Sequence, residues 1–303
     1  MQKISCSVLI LSYQNCFHVI DCLKSMETER EFIQSVHVLD NGSQDGTLND
    51  LISVKKDYEI DLIESPVNEG FSEGFNKLIQ HSLKHSDADY FMILNNDTLF
   101  TEGMMPSILK VCSPNSVVSP MIVWEKDRET IIQSAGDFDD EMIKMKNHFY
   151  GKKINEVDHR PHEIGQTDGC CFVIHRKWFE RGFLFNPEYF MYYEDMDLFK
   201  RLRNHNVEFI YQAEAILYHK EYGSSGGREK KSPLRNYYFY RNRLYYCSQF
   251  LNGFKKYKKY YMILRFALEK YKEEFNSDKQ AANSILKGCF HFFINKMGKQ
   301  NYL

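Results

Sequence analysis

Three places in the chain hold residues suited to chemistry: Asn95-Asn96-Asp97, the group Glu194, Asp195 and Asp197, and His219. Asp97 offers a hard carboxylate oxygen and Asn95 an amide oxygen, with one residue between them. On an extended turn both can point to one side, which suits an oxygen-loving divalent ion, Mn²⁺ or Mg²⁺, with phosphate completing its shell. The same triplet is also good turn chemistry. Glu194, Asp195 and Asp197 crowd three carboxylates into four positions, directly after Phe190, Tyr192 and Tyr193. Acidic residues in a first helical turn favour the helix dipole. Aromatic cover would also raise a carboxyl pKa and fit it for general-base work. His219 is an acceptable Mn²⁺ ligand beside carboxylates, although a lone histidine is more often a surface or satisfied core residue. It precedes Gly223-Ser-Ser-Gly-Gly, whose amides could meet phosphate.

These groups need strands to carry them. Tyr90–Leu94 (YFMIL) reads as a buried strand that delivers the Asn-Asn-Asp knot at its C-terminal end, where open α/β sheets bind ligands. Ser7–Tyr13, Val36–Asp40 and Ile60–Glu64 read as three earlier strands. Helices follow them: one with Phe17, Ile20, Leu23 and Met26 at helical spacing, one from Thr47, and one after the loop NEGFSEGFN and running through His85. Four strand–helix alternations in about a hundred residues imply βαβ units and a mostly parallel sheet. The strand ends are all polar. Tyr13 could stack on a flat base, and Asp40 could accept from a base N–H or a ribose hydroxyl. Asn68, Gly70, Phe71, Gly74 and Asn76 follow the third strand, and the two glycines would let backbone approach a ligand. The spacing is not a dinucleotide fingerprint.

Later strands are expected at Val117–Val123, within Thr167–Arg176, and at Val207–Tyr211 and Ala215–Tyr218, with a helix from Glu194 to about His205. Residues 125–165 are polar and give no clear element. Three helices, Asn236–Phe250, Lys258–Lys272 and Lys279–Lys296, follow the Gly/Ser break near Gly223, where we place a boundary between residues 1–227 and 228–303. Residues 228–303 hold 17 Lys and Arg against 5 Asp and Glu, net +12, and residues 1–227 are net −14. A basic tail on an acidic body points to phospholipid, nucleic acid or a diphosphate lipid, or simply to solvated helices.

The composition, 43% apolar and 15% aromatic, is globular, and no run of about twenty apolar residues predicts a membrane span. The N-terminus resembles a secretion signal only superficially. Eight cysteines without a CxxC pair are expected as free thiols in a reducing cytoplasm, and their spacing argues against a zinc site.

Eight stretches in order, SVLILSYQN, LDNGSQDGT, NEGFSEGFN, LNNDT, DGCCFVIHR, FMYYEDMDLFKR, YHKEYGSS and RNYYFYRNRL, resemble the family 2 inverting glycosyltransferases of the GT-A fold, in the bacterial rhamnosyltransferase-like branch. The resemblance spans roughly residues 5–245. It implies an α/β GT-A domain over residues 1–227, with a Rossmann-like nucleotide-sugar half (1–100) and an acceptor half (101–227), plus the basic helical segment 228–303. It implies a nucleotide-diphosphate sugar as donor, dTDP-rhamnose or a UDP-sugar, and a hydroxyl of a surface glycan or lipid-linked glycan as acceptor.

Carried over by position, Tyr13, Asp40, Asn68, Gly70, Phe71, Gly74, Asn76, Asn95 and Asn96 would bind the nucleotide sugar. Asp97 and His219 would hold a divalent metal, Asp195 would be the base with Glu194 and Asp197 as support or alternatives, and Asp168 and Gly169 would lie on the acceptor side. Asn95 replaces the first Asp of the family's DxD motif, which removes a negative charge and puts the metal's affinity and identity in question. Cytoplasmic placement is implied, with peripheral contact at an anionic inner-membrane face and no nucleic-acid partner. A nucleotidyltransferase would want a Gly-rich loop with a basic residue after strand one, where SYQNCF offers neither. Intact Asp97, Asp195 and His219 count against a non-catalytic binding module.

Overall fold

The computed structural model describes residues 4–133, 135–220 and 232–300. The Gly223-Ser-Ser-Gly-Gly break and the boundary placed at 227/228 lie outside the described residues. Among the described residues twelve strands run in chain order: β1 Cys6–Ser12, β2 Ile33–Asp40, β3 Ile60–Glu64, β4 Tyr90–Asn95, β5 Thr98–Phe100, β6 Ser116–Trp124, β7 Ile131–Gln133, β8 Gly136–Asp139, β9 Lys144–Asn147, β10 His162–Glu163, β11 Cys171–His175 and β12 Glu208–His219. The α-helices are α1 Cys16–Ser25, α2 Thr47–Val54, α3 Gly70–His85, α4 Met104–Lys110, α5 Lys177–Glu180, α6 Glu194–Arg203, α7 Pro233–Phe250, α8 Gly253–Phe275 and α9 Lys279–Phe293.

The central sheet has the order β10-β12-β6-β11-β4-β1-β2-β3, with β5 paired to β12 and β7 to β6. The stretch β4-β1-β2-β3 is wholly parallel, as the strand–helix alternation predicts. Beyond that stretch, β12 also runs parallel to β6. β11 lies antiparallel between β4 and β6, so the whole sheet is mixed. The reason is connectivity: β11 arrives after the excursion of residues 125–165, which forms β7, β10 and a separate β8–β9 hairpin.

Alternation along the central strands builds two cores. Val8, Ile10, Met92, Leu94 and Val173 face a layer made with α1, α2 and α4. Leu9, Phe91, Ile93, Phe172 and Ile174 face α3, α5 and α6. Burial on both faces is why these strands read as unbroken apolar runs.

Several expectations need correction. Phe17 is 78% exposed, and α1 buries Cys16, Val19 and Cys22 together with the expected Leu23. The third helix begins at Gly70, inside the presumed loop. The two strands expected at Val207–Tyr211 and Ala215–Tyr218 are one strand, β12, which starts at Glu208 and whose register against β6 shifts between Gln212 and Ile216. The cysteines are all free, as expected.

Candidate active site

β4 ends at Asn95, and Asn96–Asp97 make the turn into β5. Thr98 Oγ1 donates to the Asn95 carbonyl at 2.8 Å and closes that turn. β5 then pairs with the end of β12, with Thr98 opposite His219. Strand pairing therefore brings Asp97 and His219 together across 122 residues, with His219 Nε2 3.0 Å from Asp97 Oδ1 and both side chains buried. The next residue, Lys220, donates its backbone N–H to the Asp97 carbonyl and pairs through Nζ with Asp21 at 2.6 Å.

Burial alone would push the Asp97 carboxyl up. Charge and hydrogen bonding from His219, with a further contribution from His18, hold it below the usual carboxylate range. His18, in the first turn of α1, escaped the sequence reading because nothing in QNCFHVI marks it. Its Nδ1 is buried with no hydrogen-bond partner among the described residues, and burial lowers its pKa against the pull of Asp97. One carboxylate with an imidazole in contact and a second imidazole nearby is a donor set that fits a borderline divalent cation such as Mn²⁺.

The carboxylates of α6 separate into three environments. Asp197 is spent on structure: its Oδ1 accepts from Arg201 Nε at 2.6 Å and its Oδ2 from Tyr189 Oη at 3.2 Å. Glu194 is buried, and its Oε2 has no partner among the described residues. Desolvation, then the charge of Asp195, raises its pKa well above the normal range. Asp195 is partly open to solvent. Desolvation raises its pKa as well, but the N–H groups of Met196 (2.7 Å) and Gly169 (2.9 Å) stabilise the anion.

Gly169 permits this contact, because a Cβ there would lie 3.1 Å from Asp195 Cβ. The Asp168 carboxylate in turn accepts from Cys170 N–H, and Cys170 O accepts from Asn95 N–H at 2.9 Å. The turn 168–170 thus supports Asp195 on one side and the Asp97 turn on the other.

The strand ends expected to bind the nucleotide are less uniform. Asp40 is buried. Its Oδ2 accepts from Ser43 N–H, and its Oδ1 has no partner among the described residues. Tyr13 stays half-buried one residue past Ser12, which pairs with Asp40, and the Gln14 and Asn15 N–H groups after it are tied to Ser43 and Asp45. Asn41, which the sequence reading passed over, organises the third loop: its Oδ1 accepts from Glu69 N–H and its Nδ2 donates to Gly70 O and Asn68 Oδ1.

The close approaches at Gly70 and Gly74 are to protein. A Cβ at Gly70 would fall 2.4 Å from the Phe190 ring, at φ +76°, and one at Gly74 would fall 2.7 Å from Leu11. Phe71 packs against Phe75 and Phe185, and Asn76 closes both its amide groups on the Phe185 backbone. These four residues join α3 to the core and to the loop before α6.

That loop is held from behind by α7, a role no local pattern signalled. Arg241 donates to the carbonyls of Glu188, Tyr189 and Gly298, and Asn242 Nδ2 lies 2.8–2.9 Å from those of Tyr189, Met191 and Tyr192. Both side chains are fully buried. The basic segment is therefore packed into the site's support, and Lys299 Nζ reaches Asn68 O at 2.7 Å.

The profile of the glycosyl transferase family 2 matches residues 7–183. The chain belongs to that family. It is similar to the N-acetylglucosaminyl-diphospho-decaprenol L-rhamnosyltransferase of Mycobacterium tuberculosis, at 26% identity over 252 residues, 75% of this chain and 79% of that one. A low-salt glycan biosynthesis hexosyltransferase of Haloferax volcanii is 25% identical over 209 residues, 66% of this chain and 62% of that protein. Among solved structures, GalNAc-T7 with UDP, GalNAc and Mn²⁺ superposes with a TM-score of 0.58 at 13% identity, covering 72% of this chain and 44% of that one. A Pyrobaculum calidifontis mannosyltransferase in complex with GDP-Man and Mn²⁺ gives 0.56 at 10% identity, covering 96% and 87%. This family 2 glycosyltransferase thus has the GT-A fold, with three helices added after it.

Proposed function

We propose that this glycosyltransferase moves a sugar, with inversion, from a nucleotide-diphosphate donor to a hydroxyl of a lipid-linked glycan, using Asp195 as the base. The observation that carries the reading is the partly exposed Asp195 carboxylate, braced by Gly169 N–H on the turn that also bonds Asn95. Inversion needs one base, on the face opposite the leaving group. Asp195 takes the acceptor proton as the acceptor oxygen bonds the anomeric carbon and the bond to diphosphate breaks. No second carboxylate is needed as nucleophile.

The unpartnered Asp40 Oδ1 accepts from the base or ribose, with Tyr13 stacking and Asn68 lining the sugar pocket. Asp168 and Gly169 border the acceptor. Asp97 and His219 would hold a divalent ion, with Asn95 and Asn96 on the same turn and His18 also acting on Asp97. Such an ion supplies positive charge for the departing diphosphate. The mycobacterial relative's substrate motivates the choice of acceptor. Mass spectrometry of mixtures with dTDP-rhamnose or UDP-hexoses and a GlcNAc-diphospho-lipid should show acceptor gaining one sugar. Donor hydrolysis without acceptor gain across the panel would sink the reading.

Metal dependence follows. Activity should vanish in EDTA and return with Mn²⁺ or Mg²⁺, and Asp97→Ala and His219→Ala should each raise the metal concentration needed for half-maximal rate by about tenfold or more. Asn95→Asp, which restores the missing charge, should lower it. Full activity after exhaustive dialysis against EDTA would refute the assignment.

We also infer peripheral contact with anionic lipid. No helix among the described residues is long and apolar enough to cross a membrane. One stripe of α8 is used for packing: Tyr260, Leu264 and Ala267 pack in a cluster with Tyr240 and Leu244 of α7 and Ile285 of α9, and Lys259 is buried with its Nζ on Glu141 O. A neighbouring stripe is open instead. Phe254, Tyr257 and Tyr261 are 84%, 64% and 67% exposed, among Lys255, Lys256 and Lys258. Aromatics with interleaved lysines suit a lipid interface. Near the surface each lysine contributes about 1 kcal/mol. Wild type should co-sediment with phosphatidylserine vesicles at low salt, and Lys255→Glu/Lys256→Glu/Lys258→Glu should stay in the supernatant. Wild type remaining soluble would leave α8 as a packing or protein-binding element.

A further inference from the structure

A second cluster of ligating side chains lies at the other edge of the sheet. His37 on β2, Asp61 on β3 and His81 on α3 bring their ligating atoms within 4.8 Å of one another. Both imidazoles converge on one oxygen: His37 Nδ1 is 3.1 Å and His81 Nε2 2.6 Å from Asp61 Oδ2. β2 and β3 form the end of the sheet away from β12, so the cluster is built on elements that carry neither Asp97 nor His219.

We propose that His37, Asp61 and His81 form a binding site for Zn²⁺, or a similar late first-row ion, separate from the catalytic metal. The donor set, two imidazole nitrogens and one carboxylate oxygen, is a common zinc set that leaves a fourth position for water. Tetrahedral bonds of about 2.0–2.1 Å place ligand atoms roughly 3.3 Å apart. Asp61 Oδ2 needs to withdraw by less than about an ångström from His81 to reach that spacing. Its side chain is 39% exposed and free to do so.

The surroundings match what a metal histidine requires. His37 is buried, and its other nitrogen, Nε2, lies 2.9 Å from Ser35 Oγ. Ser35 Oγ contacts Ser7 Oγ at 2.7 Å, which contacts Ser86 Oγ at 2.8 Å at the end of α3. With its proton on Nε2, directed at Ser35, His37 leaves the Nδ1 lone pair for the ion. His81 and Asp61 stay partly exposed, which gives the ion a path from solvent. A stacked neighbour, His85, lies one turn along α3 with ring centroids 4.0 Å apart, and its Nδ1 donates to His81 O, which leaves Nε2 as an acceptor facing outward. No local pattern marks the cluster, because the three ligands lie 24 and 20 residues apart on separate elements. The cysteine spacing that argued against zinc does not bear on it.

An ion here would fasten β2 and β3 to the last turns of α3. The same helix begins at the donor loop, and Asp40 lies three residues after His37 on β2. The role is one of bracing the nucleotide half from its outer edge.

The test uses the full chain carrying Asp97→Ala, so that the catalytic pair does not contribute. After chelator treatment it is titrated with Zn²⁺ against a competing chromophoric chelator, and with Co²⁺ followed by visible absorption. One equivalent should bind, with the intense d–d bands of a tetrahedral nitrogen/oxygen site. His81→Gln and Asp61→Asn should each weaken binding at least tenfold, and Ser35→Ala less. Circular dichroism of each variant without metal should match the parent. If these variants unfold, the Co²⁺ spectrum of the parent decides by itself: octahedral bands, or no saturable binding at micromolar ion, overturn the site. Equal affinity in the folded Asp61→Asn variant does the same.

Discussion

Asp195→Asn should abolish transfer, by about a hundredfold or more, while donor binding stays close to wild type. General-base catalysis contributes 10²–10⁴ in rate, and the substitution removes proton acceptance but keeps shape. The amide oxygen can still accept from one of the two N–H groups, that of Gly169 or that of Met196, while the other loses its acceptor, so a thermal melt of the variant accompanies the rate measurement. The pH profile provides a second readout. Desolvation raises both carboxyls of the Glu194–Asp195 pair, so activity should fall as pH drops through an acid limb above the ordinary aspartate range. That limb belongs to the pair. Single-turnover rates and donor titrations check both statements. Near-normal turnover would move the role to Glu194, since Asp197 is occupied by Arg201 and Tyr189.

Asn242→Ala should lower kcat by about a hundredfold although Asn242 is placed to touch neither donor nor acceptor. The loop before α6 carries Phe190, Tyr192 and Tyr193 at φ +63°, +67° and +78°. Such conformations cost about 1–3 kcal/mol each for residues with side chains and persist only where neighbours over-determine them. Asn242 faces three of the loop's carbonyls, and Arg241 holds it from the same helix. Without the amide those carbonyls lose a buried donor, at about 1–3 kcal/mol, and the loop can relax. Displacing a catalytic group by about 1 Å costs on the order of 10² in rate.

A positioning role predicts that kcat falls with donor KM little changed and that Asn242→Asp does not rescue, because a carboxylate brings no N–H to the carbonyls. Steady-state kinetics with thermal melts separate this from simple unfolding. A folded Asn242→Ala variant with wild-type kcat would remove α7 from the account.

What could be read in the sequence was what local pattern determines. Tyr90–Leu94 announced a buried strand because it is covered on both faces, and Ile60–Glu64 was legible to the residue. Asp97 and His219 were legible as candidates through residue type and strand-end position. Their contact was not, because it depends on β5 pairing with the far end of β12.

The same limit explains the misreadings. The glycines at 70 and 74 look alike whether backbone approaches a ligand or, as here, Phe190 and Leu11. Gln212-Ala213-Glu214 looks like an interruption, yet β12 continues through it because β6 tolerates a register shift. The division of α6 into one bound, one buried and one accessible carboxylate depends on Arg201, Tyr189 and Gly169, which only the tertiary structure assembles.

The most direct test of the central claim is the anomeric configuration of the first-formed product. With donor, acceptor and Mn²⁺ present, proton NMR should show the transferred sugar in the configuration opposite to that of the donor, with no such signal from Asp195→Asn. Retention of configuration would contradict a single displacement with Asp195 as base.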